Sequence, residues 1–165
     1  VRIDYLRHVS DVEHPEVFVY KERRRLYLLD SNIVVRDYPV GLGTLPWGDR
    51  EREGDGRTPE GYFMVYSKQP VSRQGICLKL KKAQPPVEKV WTVASRLSPS
   101  PVKPFAHAKG SSRSSTEQSS WLGEFSIHGG GAQSDWTDGS VALYPSDMEE
   151  LTQIVQIGTS VTVRP

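Results

Sequence analysis

With 165 residues carrying 21 basic and 20 acidic side chains, the chain is long enough for one domain with its own core, and a net charge of +1 offers no whole-molecule field for a nucleic acid or a membrane surface. A single cysteine, Cys77, excludes an internal disulfide and a cysteine-based zinc site. No apolar run approaches the roughly 20 residues of a transmembrane helix, and no basic region followed by an apolar one opens the chain. The expectation is either a cytosolic protein or one that begins after a removed signal or anchor.

Residues 1–15 are polar and weakly patterned, a lead-in that packs on the domain or stays loose. From Glu16 the character changes. Val17 and Val19 alternate with Phe18 and Tyr20, Leu26 and Leu28 alternate with Tyr27 and Leu29, and Ile33 to Val40 follows an Asp30-Ser31-Asn32 turn. Short β-rich runs separated by turn residues predict a meander of antiparallel strands. The charge run from Lys21 to Arg25 falls between two of them and reads as a solvated strand face or hairpin turn, not an RNA patch. Residues 41–61 (GLGTLPWGDREREGDGRTPEG) are dense in Gly, Pro and charge and predict a long ordered loop, a lip over something.

Strands resume at Tyr62 to Tyr66 and at Ile76 to Leu80. Residues 81–120 are rich in Pro, Ser and Lys and read as an insertion, with SSRSSTEQSS at 111–120 as its least foldable part; Trp91, Phe105 and Trp121 suggest that its ends pack down. Order returns with EFSIHGGG at 124–131, a strand running into a glycine turn. One helix follows: Ser146 and Glu149 form a capping box, Met148, Leu151, Ile154 and Val155 an apolar stripe, and Gly158 closes it. Residues 160–163 alternate as a last strand. Many strands and one helix give a fold that is mainly β with a little α, one domain over residues 1–165.

Gly41-Leu42-Gly43 lacks the third glycine and the following helix of a dinucleotide fingerprint, and residues 129–131 lack the Lys-Ser/Thr of a phosphate loop. His8, His14 and His107 are scattered over loops without an acid at ligand spacing, which gives metal binding no support. His128 keeps different company. It ends an apolar strand, three glycines after it let backbone approach a ligand closely, and Asp138-Gly139-Ser140 comes soon afterwards. A hydroxyl on a glycine turn near an imidazole is a nucleophile–base arrangement, with backbone N–H groups of the turn as oxyanion donors.

The segment IHGGGAQSDWTDGSVALYPSDMEELTQIVQIGTSVTV resembles the active-site signature of the L,D-transpeptidases, the YkuD-type domain. VYKERRRLYLLDSNIVVRDYPVGLG resembles that family's opening hairpins, and GDGRTPEGYFMV its G-x-x-T-P-x-G-x-F segment. The similarity spans roughly residues 17–80 and 121–163. It implies a YkuD-like β-sandwich or barrel-type domain, no cofactor, and peptidoglycan stem peptides as partner, with no nucleic acid and no membrane insertion of this segment. The oligomeric state stays open. Cell-wall substrates imply an extracytoplasmic location, periplasm or wall, with the export segment outside this sequence.

By the same resemblance His128 is the general base, Gly129 supplies the carbonyl that holds its imidazole, and Gly139 opens the oxyanion site. Ser140 stands where the family keeps its nucleophilic cysteine. Gly130, Trp136, Asp138 and Ala142 fall on the substrate side; Asp138 occupies the place of a second histidine and Ala142 that of an arginine held to position substrate. The family's thiolate attacks a tetrapeptide stem at its L-centre to D-Ala bond, releases D-Ala and passes the acyl group to an amine. A thiol with an ordinary pKa of about 8.5 yields a standing thiolate beside an imidazole, whereas an alcohol demands concerted base catalysis. The expectation is little or no transpeptidase activity with serine at 140, through a deliberate Cys→Ser change, which the intact surroundings favour, or natural loss of the nucleophile. A binding protein without chemistry, a hydrolase of wall-linked amides and a true serine hydrolase remain the alternatives. Cys77, in the strand ICLKL, reads as a buried structural thiol.

Overall fold

A computed structural model describes residues 2–71, 75–85 and 124–165. Most of the 81–120 insertion, with Trp91, Phe105, His107 and Trp121, lies outside the described residues; Lys81 and Lys82 belong to a strand. The strands are β1 (Arg2–Ile3), β2 (Pro15–Tyr20), β3 (Arg25–Asp30), β4 (Ile33–Pro39), β5 (Gly61–Val71), β6 (Gly75–Lys82), β7 (Glu124–His128), β8 (Val141–Ala142) and β9 (Ser160–Arg164), with one helix, α1 (Pro145–Ile154), before the last. They form one mixed sheet in the order β1-β4-β3-β2-β9-β5-β6-β7-β8.

The alternation seen in the sequence is the sheet's inner face. Val17, Val19, Leu26, Leu28, Phe63, Val65, Leu78, Leu80, Ile127, Val161 and Val163 are buried together, and Met148, Leu151 and Ile154 of α1 join them. Phe63 meets Phe125 edge to face across β5 to β7, ring centroids 4.7 Å apart. The lead-in packs: β1 pairs in parallel with β4, and Arg7 reaches buried Asp30 at 2.7 Å. Gly41, just past β4, exchanges two backbone hydrogen bonds with Ala142 of β8, at 2.9 and 2.8 Å. The second strand from one end of the sheet is thereby tied to the last strand at the other, and the sheet closes on itself beside His128.

Two expectations need correction. The helix has no Ser146–Glu149 capping box, because it begins earlier: Tyr144 is its N-cap without a side-chain cap bond, and Pro145, whose fixed φ and missing N–H suit a first helical position, starts it. Gly158 does not close it either; Val155, in extended conformation, ends the helix, and Gly158 turns the chain back to donate its N–H to the Val65 carbonyl. The charge run sits at the β2–β3 hairpin, but it is only partly solvated. Lys21 is 2% exposed and bridges Glu60 at 2.8 Å, and Arg24 pairs with Asp135 at 2.9 Å, so two of the cations reach inward to pin other loops.

Candidate active site

The register of β7 and β8 builds the site. Ile127 lies opposite Val141 and His128 opposite Ala142, so Ser140 arrives beside Ser126, their hydroxyl oxygens 2.9 Å apart. Side chains alternate along a strand, which places Ser126 and His128 on one face of β7. His128 is 8% exposed, and its Nδ1 lies 2.5 Å from the Gly129 carbonyl oxygen. A carbonyl only accepts, so Nδ1 is the donor of this contact and Nε2 is the ring nitrogen left for other partners. Trp136 stands edge-on to the imidazole at 5.6 Å and is fixed by its indole N–H on the Gly131 carbonyl at 3.0 Å. Gly130 runs so close under that indole that a Cβ there would fall 2.8 Å from its ring.

Thr137 shapes the turn before Ser140. Its hydroxyl donates to the Ser140 carbonyl at 2.6 Å and accepts the Gly139 N–H at 3.1 Å. That N–H is therefore bonded inside the turn. The Gly139 φ of +124° is a glycine conformation, and a Cβ would sit 2.1 Å from Arg50 Nη2 and 2.5 Å from the Arg57 carbonyl oxygen.

Residues 41–60 form the ordered loop that the sequence predicts, a lip against the Thr137–Gly139 turn, while Gly61 already opens β5. Gly43 donates to the Thr58 hydroxyl at 3.0 Å, Thr44 N–H to the Thr137 carbonyl at 3.0 Å, and Leu42 N–H to the Asp135 carboxylate, itself forked by Arg24. The Gly41-Leu42-Gly43 pattern thus serves backbone packing: a Cβ on Gly43 would lie 2.1 Å from the Gly56 carbonyl oxygen. Lys21 holds the far limb of the lip through the Gly48 and Thr58 carbonyls and Glu60. At the tip, Arg50 reaches Gly139; burial lowers its pKa from the usual guanidinium value, against the pull of Asp55, Glu53 and Asp49.

The site residues named from sequence converge in the main. His128, Gly129, Gly130, Trp136, Gly139 and Ser140 lie within one loop-and-strand cluster, Trp136 41% exposed at its rim. Asp138 is exposed and makes no hydrogen bond among the described residues. Ala142 is fully buried, so its methyl does not face solvent, and its backbone serves to tie β8 to Gly41. A cavity of about 430 Å³ opens beside Gly130, walled by Ile76, Pro145, Met148, Glu149 and Thr152. Cys77 is buried on β6. Sequence reasoning missed Ser126, Thr137, Arg50 and the Lys21 and Arg24 anchors. Period-two spacing before His128 could have found Ser126; nothing local points to Arg50.

A family model described as the L,D-transpeptidase catalytic domain, YkuD, matches residues 14–163. No curated protein matches at a significant level. Among solved structures, an L,D-transpeptidase from Mycobacterium smegmatis superposes with a TM-score of 0.55 at 11% identity, over 92% of this chain and 59% of that one. An Enterococcus faecium L,D-transpeptidase, solved as a cysteine-to-serine mutant, gives 0.53 at 16% identity, over 93% of this chain and 50% of that one. An L,D-transpeptidase from Stackebrandtia nassauensis gives 0.53 at 11%, over 97% and 62%. The chain thus spans less than two thirds of the length of each, and at these identities the likeness is one of fold.

Proposed function

This chain belongs to the L,D-transpeptidase catalytic domain family, and we propose that its cleft takes peptidoglycan stem peptides for acyl transfer at position 140, where serine replaces the family's cysteine. The observation that carries the reading is the His128 imidazole, held through Nδ1 on the Gly129 carbonyl on the same strand face as Ser126, whose hydroxyl touches residue 140. In the cysteine form, the thiolate attacks the carbonyl carbon of the bond between the L-centre and D-Ala. The tetrahedral intermediate collapses by breaking the C–N bond, the leaving amine takes the proton from His128, and D-Ala departs. An acceptor amine then attacks the thioester, gives its proton to His128 and expels the thiolate, leaving a new amide. Such substrates place the protein outside the cytoplasmic membrane.

With serine at 140 the chemistry is disabled on this reading. The Ser140 hydroxyl is bonded to Ser126, and His128 to Gly129; no hydrogen bond joins His128 to Ser140. The same contacts support the second reading, a protein that binds stem peptides without turning them over. Ser140→Cys decides: the cysteine protein should release D-Ala from a tetrapeptide stem, and the serine protein should be slower by about 10³-fold or more. A folded cysteine protein that binds the stem but releases nothing would favour the binder. Mass spectrometry of the product separates transfer, which yields a dimer, from hydrolysis, which yields a free acid.

A further inference from the structure

We propose that Trp47, on the lip, is the platform of a surface that binds an uncharged pyranose ring, such as the amino sugars of the strand that carries the stem peptides; the inference rests on the acyl-transfer reading for the identity of that strand. Trp47 is 68% exposed, yet its ring is supported. The Arg24 guanidinium lies over it, 5.3 Å from the ring centroid. That guanidinium is itself held, by the Asp135 carboxylate at 3.0 Å from Nε and 2.9 Å from Nη2, and by the Lys21 carbonyl. A fixed cation thus takes one face of the indole and leaves the rest of its surface to solvent. Beside the ring lies a recess of about 110 Å³, bounded by Pro46, Trp47 and Pro165 and by two acidic residues, Glu22 and Glu60.

The charges around the ring decide what it takes. Each cation of the adjoining hairpin turn is engaged: Lys21 on Glu60, Arg24 on Asp135, Arg25 on Asp37, and Arg23 over the Tyr20 ring. An anion therefore finds no free partner here and meets two carboxylates, of which Glu22 is exposed. An apolar protein segment would desolvate those carboxylates without bringing them donors. A pyranose meets both demands, because its C–H face suits the negative face of an indole and its hydroxyl and acetamido groups donate to carboxylates. The position fits as well. Arg57 spans the distance, its carbonyl oxygen 2.5 Å from where a Gly139 Cβ would stand and its Nη1 3.6 Å from the same point on Gly48. Trp47 is thus about one arginine side chain from the turn before residue 140. Three stem residues separate the scissile carbonyl from the sugar, a reach of about 10 Å.

The test uses the protein with Ser140, which binds without depending on turnover. Calorimetric titration with a tetrapeptide stem, free and carried on its disaccharide of N-acetylated sugars, should show the sugar-bearing form bound tighter by about fivefold or more. Trp47→Ala should remove that gain and leave the affinity for the free stem unchanged, and Trp47→Phe should keep part of it. Circular dichroism confirms that each variant is folded, and the phenylalanine variant carries the test if the alanine one is not. A peptide-free probe, a tetramer of N-acetylglucosamine, should shift the Trp47 indole N–H resonance, which is identified by its loss in Trp47→Ala. Equal binding of the two stems by the parent, or a gain that survives Trp47→Ala, overturns the inference. So does a Trp47 resonance that moves with a proline-rich peptide and not with the tetramer, which would assign the surface to a protein partner. The acyl-transfer reading fails separately: a protein that binds neither stem but shows the Trp47 shift with the tetramer would keep the sugar surface and lose the stem cleft. Binding of both stems alike would do the reverse.

Discussion

Replacing Lys21 by alanine removes an ammonium that is 2% exposed and donates to the Gly48 carbonyl at 2.5 Å, the Thr58 carbonyl at 2.9 Å and the Glu60 carboxylate at 2.8 Å. Removing one member of a buried ion pair costs about 3–5 kcal/mol, because the other charge is left poorly solvated. Glu60 retains 20% of its side-chain exposure, which moves the pair itself toward the lower end, about 3 kcal/mol. The two carbonyls add about 1 kcal/mol each when water fills the space of the lysine stem, and more if it does not. A loss of about 3–5 kcal/mol in a chain of this length lowers Tm by roughly 6–20 °C. Urea and thermal unfolding measure it, with a Glu60→Ala double-mutant cycle isolating the pair. All three acceptors lie in the lip, so amide exchange should quicken across residues 48–60 before it does in β2 and β3. A loss under about 1 kcal/mol, with exchange in the lip unchanged, would refute the claim that this lysine holds the lip in place.

Gly139→Ala should cost about 1–3 kcal/mol for a side chain at φ +124° alone, and more because its Cβ collides with Arg50 and the Arg57 carbonyl; a calorimetric scan that matches the parent would show that the lip does not press on the turn. In the Ser140→Cys protein, Ser126→Ala removes the hydroxyl beside the nucleophile. One hydrogen bond of about 1 kcal/mol predicts a rate lower by about fivefold and a thiol that titrates higher, read by alkylation rate against pH; an unchanged profile would remove Ser126 from the site. Asp30 is buried, which raises its carboxyl pKa, but the His14 N–H and the Arg7 guanidinium outweigh burial and hold it below the usual carboxylate range. Its folded pKa lies below the unfolded value near about 3.9, so its stabilisation is present above that pH and is lost as pH falls through the folded value. Urea midpoints should therefore drop less steeply below about pH 4 in Asp30→Asn than in the parent, and parallel curves would contradict this.

What the sequence made legible was local. Period-two runs such as Val17 to Tyr20 and Leu26 to Leu29 mark strands because neighbouring side chains decide their own face, and the Met148, Leu151, Ile154 stripe marks α1 for the same reason. The helix start was misplaced by a competition between two local signals, in which Pro145 at the first position outweighed a Ser–Glu pair. The charge run forms the hairpin turn expected of it, but its solvation was overstated because exposure is the default for lysine and arginine, and the partners that override it lie far along the chain, Glu60 from Lys21 and Asp135 from Arg24. His128 and Ser140 stood out through a family pattern that includes both. Ser126 entered through the β7–β8 register and Arg50 through the return of a long loop, and neither pairing is written in spacing.

The group that orients the imidazole bears on which nucleophile the site suits. A carboxylate behind a histidine both orients the ring and stabilises the imidazolium formed when an alcohol is deprotonated. Here the partner of Nδ1 is the Gly129 carbonyl, which orients the ring but brings no full negative charge. For a thiol the shortfall is small: ordinary pKa values of about 8.5 and about 6.5 differ by about 2 units, about 2.7 kcal/mol, which hydrogen bonds and nearby cations can offset. Arg50 at Gly139 and the Ser126 hydroxyl supply contributions of that kind. An alcohol is several units less acidic than a thiol, and each unit adds about 1.4 kcal/mol that a carbonyl cannot return. On the acyl-transfer reading, the surroundings of position 140 therefore match a thiolate and leave the serine hydroxyl hydrogen-bonded to Ser126 instead of activated by His128.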